Sequence, residues 1–240
     1  MVLPQLYTDI TPLNREQHQK LKAPAGVARF GFAGGTHLLA CVIDEFGVGS
    51  LEMPILFAPA NDTATAVFLV GCEAGKSVFV KPDGSWAGRY VPAYIRRMPF
   101  IVGDIDDKQS VICADINQLS AADGEPLFND KGENTPFFNA TIDFVNQYAA
   151  SGRATEAFAK KLMELKLLSP VTIDFQNVHG KAVAIHGLMA VDEGRLASLT
   201  DEQFLELRRA GYLPLIYAHR NSLNLIPTFT SRMGVEKQAA

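Results

Sequence analysis

With 240 residues, 48% of them hydrophobic and 20% charged, the chain is long and apolar enough to bury a core without staples, which excludes a disordered protein. A formal charge of −4 leaves no general attraction for phosphate backbones, so nucleic-acid binding is not expected. No apolar run approaches the roughly 18 residues that a membrane helix needs, and no fixed-period repeat or low-complexity tract occurs.

At the N-terminus, MVLPQLYTDITPLNREQHQK has neither the basic start nor the apolar run of a signal peptide, so the expectation is a soluble, cytoplasmic protein. Val27 to Asp115 then reads as short β-rich runs: VARFGF, THLLACVI, MPILF, TAVFLV, SVFV, YVPAYI, FIVG and SVICAD. Their spacing suggests antiparallel neighbours rather than βαβ units. Lys81-Pro82-Asp83-Gly84-Ser85 has the chemistry of a turn, since Pro presets φ and Gly accepts φ > 0. Cys41, Cys72 and Cys113 lie far apart in apolar surroundings without CxxC spacing and are expected as buried free thiols.

Helical periodicity takes over after the polar stretch DGEPLFNDKGENTP. Thr135 caps a helix with Pro136 at its first position and Phe138, Ile142, Val145 and Ala149 on one face. A second helix is expected from about Ala154 to Leu168, stopped by Ser169-Pro170, so that the two form a helical hairpin. VTIDFQ and KAVAIHGLMAV alternate as a β-hairpin around Asn177-Val178-His179-Gly180. Thr200 to Gln203 makes a capping box with Leu199 and Phe204 as a staple, Gly211 ends that helix, and a last helix begins near Pro214. The tail SRMGVEKQAA is expected to fray.

VFLVGCEAGKS resembles a strand entering a phosphate-binding loop. Such a loop has four residues between its first Gly and the Gly-Lys pair and leads into a helix, whereas Gly71 and Gly75 enclose three and a strand-like VFV follows. A turn between strands is the expected structure. Asp104, Asp106, Asp107 and Asp115 imitate part of a calcium loop, but Gln109 stands where Gly is required. His37, Glu45 and His219 supply the residue types of an Fe or Zn site, although neither H-x-D/E nor H-E-x-x-H spacing occurs. His18, His179 and His186 have no partner at useful spacing. The most site-like segment holds Trp86, Arg89, Tyr90, Tyr94, Arg96 and Arg97, where guanidinium groups interleave with aromatic rings and can clamp an anion.

Six stretches, PLNREQH, THLLACVIDEF, LEMPILF, GRYVPAYIRRMPF, DGEPLF and YAHRNSLNL, together resemble the bacterial SapC family over about residues 10 to 227. GRYVPAYIRRMPF is the most specific of them. The resemblance implies association with surface-layer and nutrient-uptake loci, but it carries no catalytic residues across. The leading reading is therefore a non-enzymatic accessory protein that recognises a peptide or protein partner, without a cofactor. The alternatives are an oxygenase-like enzyme holding Fe or Zn at His37, Glu45 and His219, and a surface-layer component exported without a cleaved signal. The expected fold is α+β in a single domain: an antiparallel sheet from the first half, flat or closed like a barrel, with helices mainly from the second. A split near residue 130 is the alternative organisation.

Overall fold

The computed structural model describes residues 3–27, 29–104, 110–176, 182–227 and 229. Chain order gives strands β1 (Ile10–Pro12), β2 (Lys22–Ala23), β3 (Leu38–Ala40), β4 (Ile55–Ala60) and β5 (Thr63–Leu69), followed by β6 (Phe100–Asp104), β7 (Ser110–Asp115), β8 (Glu125–Pro126), β9 (Leu168–Gln176) and β10 (Ala182–Val191). The helices are α1 (Arg15–His18), α2 (Phe46–Gly49), α3 (Ala93–Arg96), α4 (Pro136–Glu164), α5 (Glu193–Ala197), α6 (Asp201–Arg209) and α7 (Tyr212–Ser222). The fold is α+β, with most helical residues in the C-terminal half. The described residues form three antiparallel sheets, ordered β3-β5-β4-β10-β9, β1-β7-β6 and β2-β8. Among the described residues all three are open, and no barrel closes.

Strands formed where alternation is sustained. β4 and β5 pair from Ile55 opposite Phe68 to Ala60 opposite Thr63, and Asn61 takes the positive φ of 46° that the two-residue turn requires. β9 and β10 pair as the alternation predicts, with Phe175 opposite Val183 and Ile173 opposite Ile185. Their register then shifts between Ile185 and Leu188, where Gly187 has φ of 78°. The turn of that hairpin, with His179, lies outside the described residues, as do Asp106, Asp107, Gln109 and the C-terminal tail.

Several expected strands are different structures. The end of VARFGF runs into a 3-10 turn, Gly31–Ala33, and SVFV is loop with one bridge between Val80 and Trp86. YVPAYI turns into α3, because Pro92 at φ −54° opens the helix and the Glu45 carboxylate accepts the Ala93 N–H at 2.6 Å. β5 ends at Leu69; the chain turns through a Glu73–Lys76 bridge and returns as Val78 N–H donates to the Val70 carbonyl at 2.8 Å. A Cβ at Gly71 would lie 1.8 Å from the Lys76 carbonyl oxygen. The GKS segment is thus a turn, as its spacing required.

α4 corrects the helical hairpin: one helix of 29 residues replaces two. Thr135 Oγ1 accepts the Phe138 N–H at 3.1 Å and Pro136 occupies the first turn, as expected. Ser151-Gly152 does not interrupt it, since a glycine inside a helix costs only about 1 kcal/mol. Apolar side chains on both flanking halves are buried and offset that cost. The helix stops at Leu165, Lys166 adopts φ of 54°, and Ser169-Pro170 lies inside β9.

This helix serves two apolar clusters. Phe158, Ala159 and Leu162 pack with Phe46, Phe57 and Phe68 beneath the five-stranded sheet. Phe138 and Val145 pack with Phe100, Ala114, Leu127 and Phe128 against the three-stranded sheet. Each buried aromatic or leucine contributes about 1.5–3 kcal/mol, so α4 fastens both sheets. The three cysteines are free and buried.

α7 is held by polar contacts inside the larger cluster. Val191 N–H donates to His219 Nε2 at 3.0 Å, which leaves the proton on Nδ1 to donate to the Ile55 carbonyl at 2.8 Å. Ser222 Oγ accepts the Ile55 N–H at 2.8 Å and donates to the His219 carbonyl at 2.6 Å.

Candidate functional site

Glu45 ends a 3-10 turn, Ile43–Glu45, and only 3% of it is exposed. Its Oε2 accepts the Val42 N–H at 3.1 Å, and its Oε1 accepts the Ala93 N–H and, at 2.8 Å, the Tyr90 hydroxyl. Burial raises its pKa, while those hydrogen bonds and the Arg96 charge work against the rise. Both oxygens are occupied by groups of the chain itself, so this carboxyl joins the 3-10 turn to α3.

Arg96 is positioned by that joint. Its Nε donates to the Val91 carbonyl at 2.9 Å and its Nη2 to the Tyr90 hydroxyl oxygen at 3.2 Å, which in turn donates to Glu45. The guanidinium carbon lies 5.5 Å from the Tyr90 ring centre and 4.8 Å from that of Phe144 on α4. The side chain is exposed yet fixed from three sides.

Cavities line up beside it along one face of α4. One of about 310 Å³ is bounded by Asp44, Glu45, Tyr90, Arg96, Phe144, Tyr148 and Ser151. Arg96 and Phe144 are shared with a second, of about 190 Å³, that also takes in Arg29, Phe100, Phe137 and Thr141. Val42 and Tyr148 are shared with a third, of about 610 Å³, reaching Asp62, Gly152, Thr155, Glu156 and Lys160. The α4 residues concerned follow the three-and-four spacing of a single helical stripe from Phe137 to Lys160. At 1.5 Å per residue this stripe is about 35 Å long. Midway along it, Ser151 Oγ is buried without a hydrogen-bond partner among the described residues.

Of the residues expected in the arginine-aromatic site, Arg89, Tyr90 and Arg96 line cavities. Arg89 borders one of about 470 Å³ that lies off the α4 stripe and meets the 310 Å³ cavity only at Tyr90; its wall includes Val48, Leu51 and Glu52, whose carboxylate accepts the Arg89 N–H at 2.8 and 3.0 Å. Trp86, Tyr94 and Arg97 line none of these cavities; they are interior. Trp86 stacks on Phe79 at 5.0 Å and donates through Nε1 to the Tyr90 carbonyl at 2.8 Å. Arg97, 5% exposed, sits over the rings of Tyr94, Tyr148 and Tyr7 at 4.6, 4.7 and 5.3 Å. Tyr94 donates its hydroxyl to the Gln5 carbonyl at 2.5 Å.

His37, Glu45 and His219 are not brought together. Among the described residues no three His, Cys, Asp or Glu side chains are placed to share a metal ion. His37 accepts the Gly75 N–H at 3.4 Å, and burial lowers its pKa. Both ring nitrogens of His219 are held by backbone. Asp115 accepts from Thr8, Asn117 and Gln118. Sequence reading missed Arg29, Phe144, Tyr148 and Ser151. Arg29 beside Phe30 carries the same cation-next-to-aromatic signal as residues 89–97, but it lay in a segment read as a strand.

The SapC family model matches residues 13–228. The chain belongs to the SapC family. Comparison with curated proteins gives no match, and comparison with solved structures gives none either. In this SapC protein the GRYVPAYIRRMPF stretch builds α3 and its approach, and thereby places Arg96 in the wall of the α4 trough and Arg97 behind it. No helix among the described residues is long and apolar enough to cross a membrane.

Proposed function

We propose that this SapC protein is a non-enzymatic binding protein that accepts a peptide segment of a protein partner in the trough along α4. Arg96 is the fixed cation of that site. The observation that carries this reading is the adjoining of three cavities through shared wall residues, with Arg96 held at one junction by Tyr90, Val91 and Phe144. A small-molecule pocket closes around its ligand, whereas an open trough of about 35 Å matches about ten residues of extended chain. A guanidinium braced on aromatic rings also loses little side-chain freedom on binding. The accessory role in a bacterial surface or nutrient-uptake system, suggested by the family's locus associations, supplies a setting in which such a partner exists.

Selection from a random dodecapeptide library, run in parallel on the wild type and on Arg96→Gln, tests the reading. Enrichment of related sequences by the wild type, bound at least tenfold more weakly by the variant, is the expected result. Absence of enrichment, or peptides indifferent to Arg96, overturns it.

A further inference from the structure

The narrow end of the trough, between Arg29 and the N-terminal half of α4, holds an arrangement that the peptide reading does not by itself explain. Arg29 and Arg96 line the same cavity of about 190 Å³, and no Asp or Glu among the described residues lines it. Neither arginine has an ion-pair partner among the described residues. Each is instead braced on an aromatic face, Arg29 over Phe30 at 5.1 Å and Arg96 over Phe144 at 4.8 Å. Arg29 is half-buried, and burial first and the Arg96 charge second disfavour its protonated form. Two like charges held together in a partly desolvated cleft repel each other, and a bound anion relieves that repulsion.

The rest of the wall defines the anion. Phe100, Phe137, Phe144 and Met98 make it apolar, which suits an anion carrying an apolar body rather than a bare inorganic ion. Its volume is below the range of pockets for drug-sized ligands, so it takes the end of a chain and not its middle. Charge also changes along the trough, since the cavities beyond Arg96 are lined by four carboxylates, Asp44, Glu45, Asp62 and Glu156, against one cation, Lys160.

Resting on the peptide reading above, we infer that Arg29 and Arg96 form a carboxylate subsite that takes the C-terminal carboxylate of the bound peptide, its last side chain apolar and seated on the phenylalanine rings. The peptide then runs from this end along α4 towards Glu156.

Two probes separate this inference from the reading beneath it. Peptides selected by the wild type are remade as free acids and as C-terminal amides, and their affinities are measured for the wild type and Arg29→Gln. The acid is expected to bind the wild type at least tenfold more tightly, and that advantage to vanish in Arg29→Gln while its thermal midpoint stays unchanged. Equal affinity of acid and amide overturns the subsite and leaves the peptide reading standing. Independently, the arginine Nε–H resonances of the wild type are followed while 4-methylpentanoate, 4-methylpentanamide and inorganic phosphate are titrated. Saturable shifts of Arg29 and Arg96 with the carboxylate alone support the subsite even where no peptide is selected, an outcome that discards the peptide reading. Equal response to acid and amide, or a stronger response to phosphate, overturns the subsite.

Discussion

Arg96 and Arg97 are consecutive, carry the same side chain and are used in opposite ways. A rotation of about 100° per helical residue separates their directions: Arg96 leaves the protein between Tyr90 and Phe144, while Arg97 points between three tyrosine rings and is closed off from water. Tyr148, from the middle of α4, belongs to both regions, for it packs on Arg97 and also lines the trough. Burial therefore assigns function here more sharply than residue type does. The interior cation fastens α3 to α4, and the rim cation stays exposed.

Removing the interior one has the largest expected effect. Arg97→Ala empties a cage of three desolvated cation–π contacts and is expected to cost about 3 kcal/mol or more in urea unfolding. Arg97→Met keeps the volume without the buried Nε, which has no hydrogen-bond partner among the described residues, and should recover most of that loss. An Arg97→Ala protein as stable as the wild type would erase the distinction between the two arginines.

His219 extends the comparison to pH. Burial, first, lowers its pKa from 6.5 to about 4, with Arg220 adding in the same direction and the Ile55 carbonyl opposing. As pH falls below about 6.5 the unfolded chain takes up a proton that the native state refuses, so the stability linked to His219 is complete above that pH. It is lost progressively towards pH 4, and amounts to about 3 kcal/mol. Glu45 has a raised pKa and contributes with the opposite sign, so the measurement is the difference between wild type and His219→Gln across pH 4 to 7. Parallel curves for the two proteins would contradict the buried, neutral imidazole.

At the rim, effects on folding shrink and effects on binding take over. Arg96→Ala is expected to change stability by less than about 1 kcal/mol while weakening a selected peptide about tenfold, or about 1.4 kcal/mol. Smallest is Ser151→Ala. Its hydroxyl is buried without a partner among the described residues, so removing it should raise the stability of the free protein by about 0.5–1 kcal/mol. A loss of stability would mean that Ser151 already has its hydrogen bond in the unbound protein.

Local chemistry was legible in the sequence, and distant packing was not. Thr135 and Thr200 cap as read, because an N-cap involves only the next three residues. The β9–β10 hairpin followed from alternation for the same reason. YVPAYI was misread because its β-forming composition is overruled by Pro92 and by Glu45, which is 48 positions from the Ala93 N–H that it accepts. The single α4 was missed because Gly152 marks a break by propensity, and only the two buried flanking stripes decide against one. Arg96 and Arg97 could not be told apart along the chain, since the rings that separate their roles come from Tyr7, Phe144 and Tyr148.

The affinity of one library-selected peptide for the wild type, Arg96→Gln and Arg97→Met, each confirmed folded by its thermal midpoint, tests the division between rim and interior most directly. The trough account predicts at least a tenfold loss in Arg96→Gln and an affinity within about twofold of wild type in Arg97→Met. Equal losses in both, or a loss confined to Arg97→Met, would contradict it.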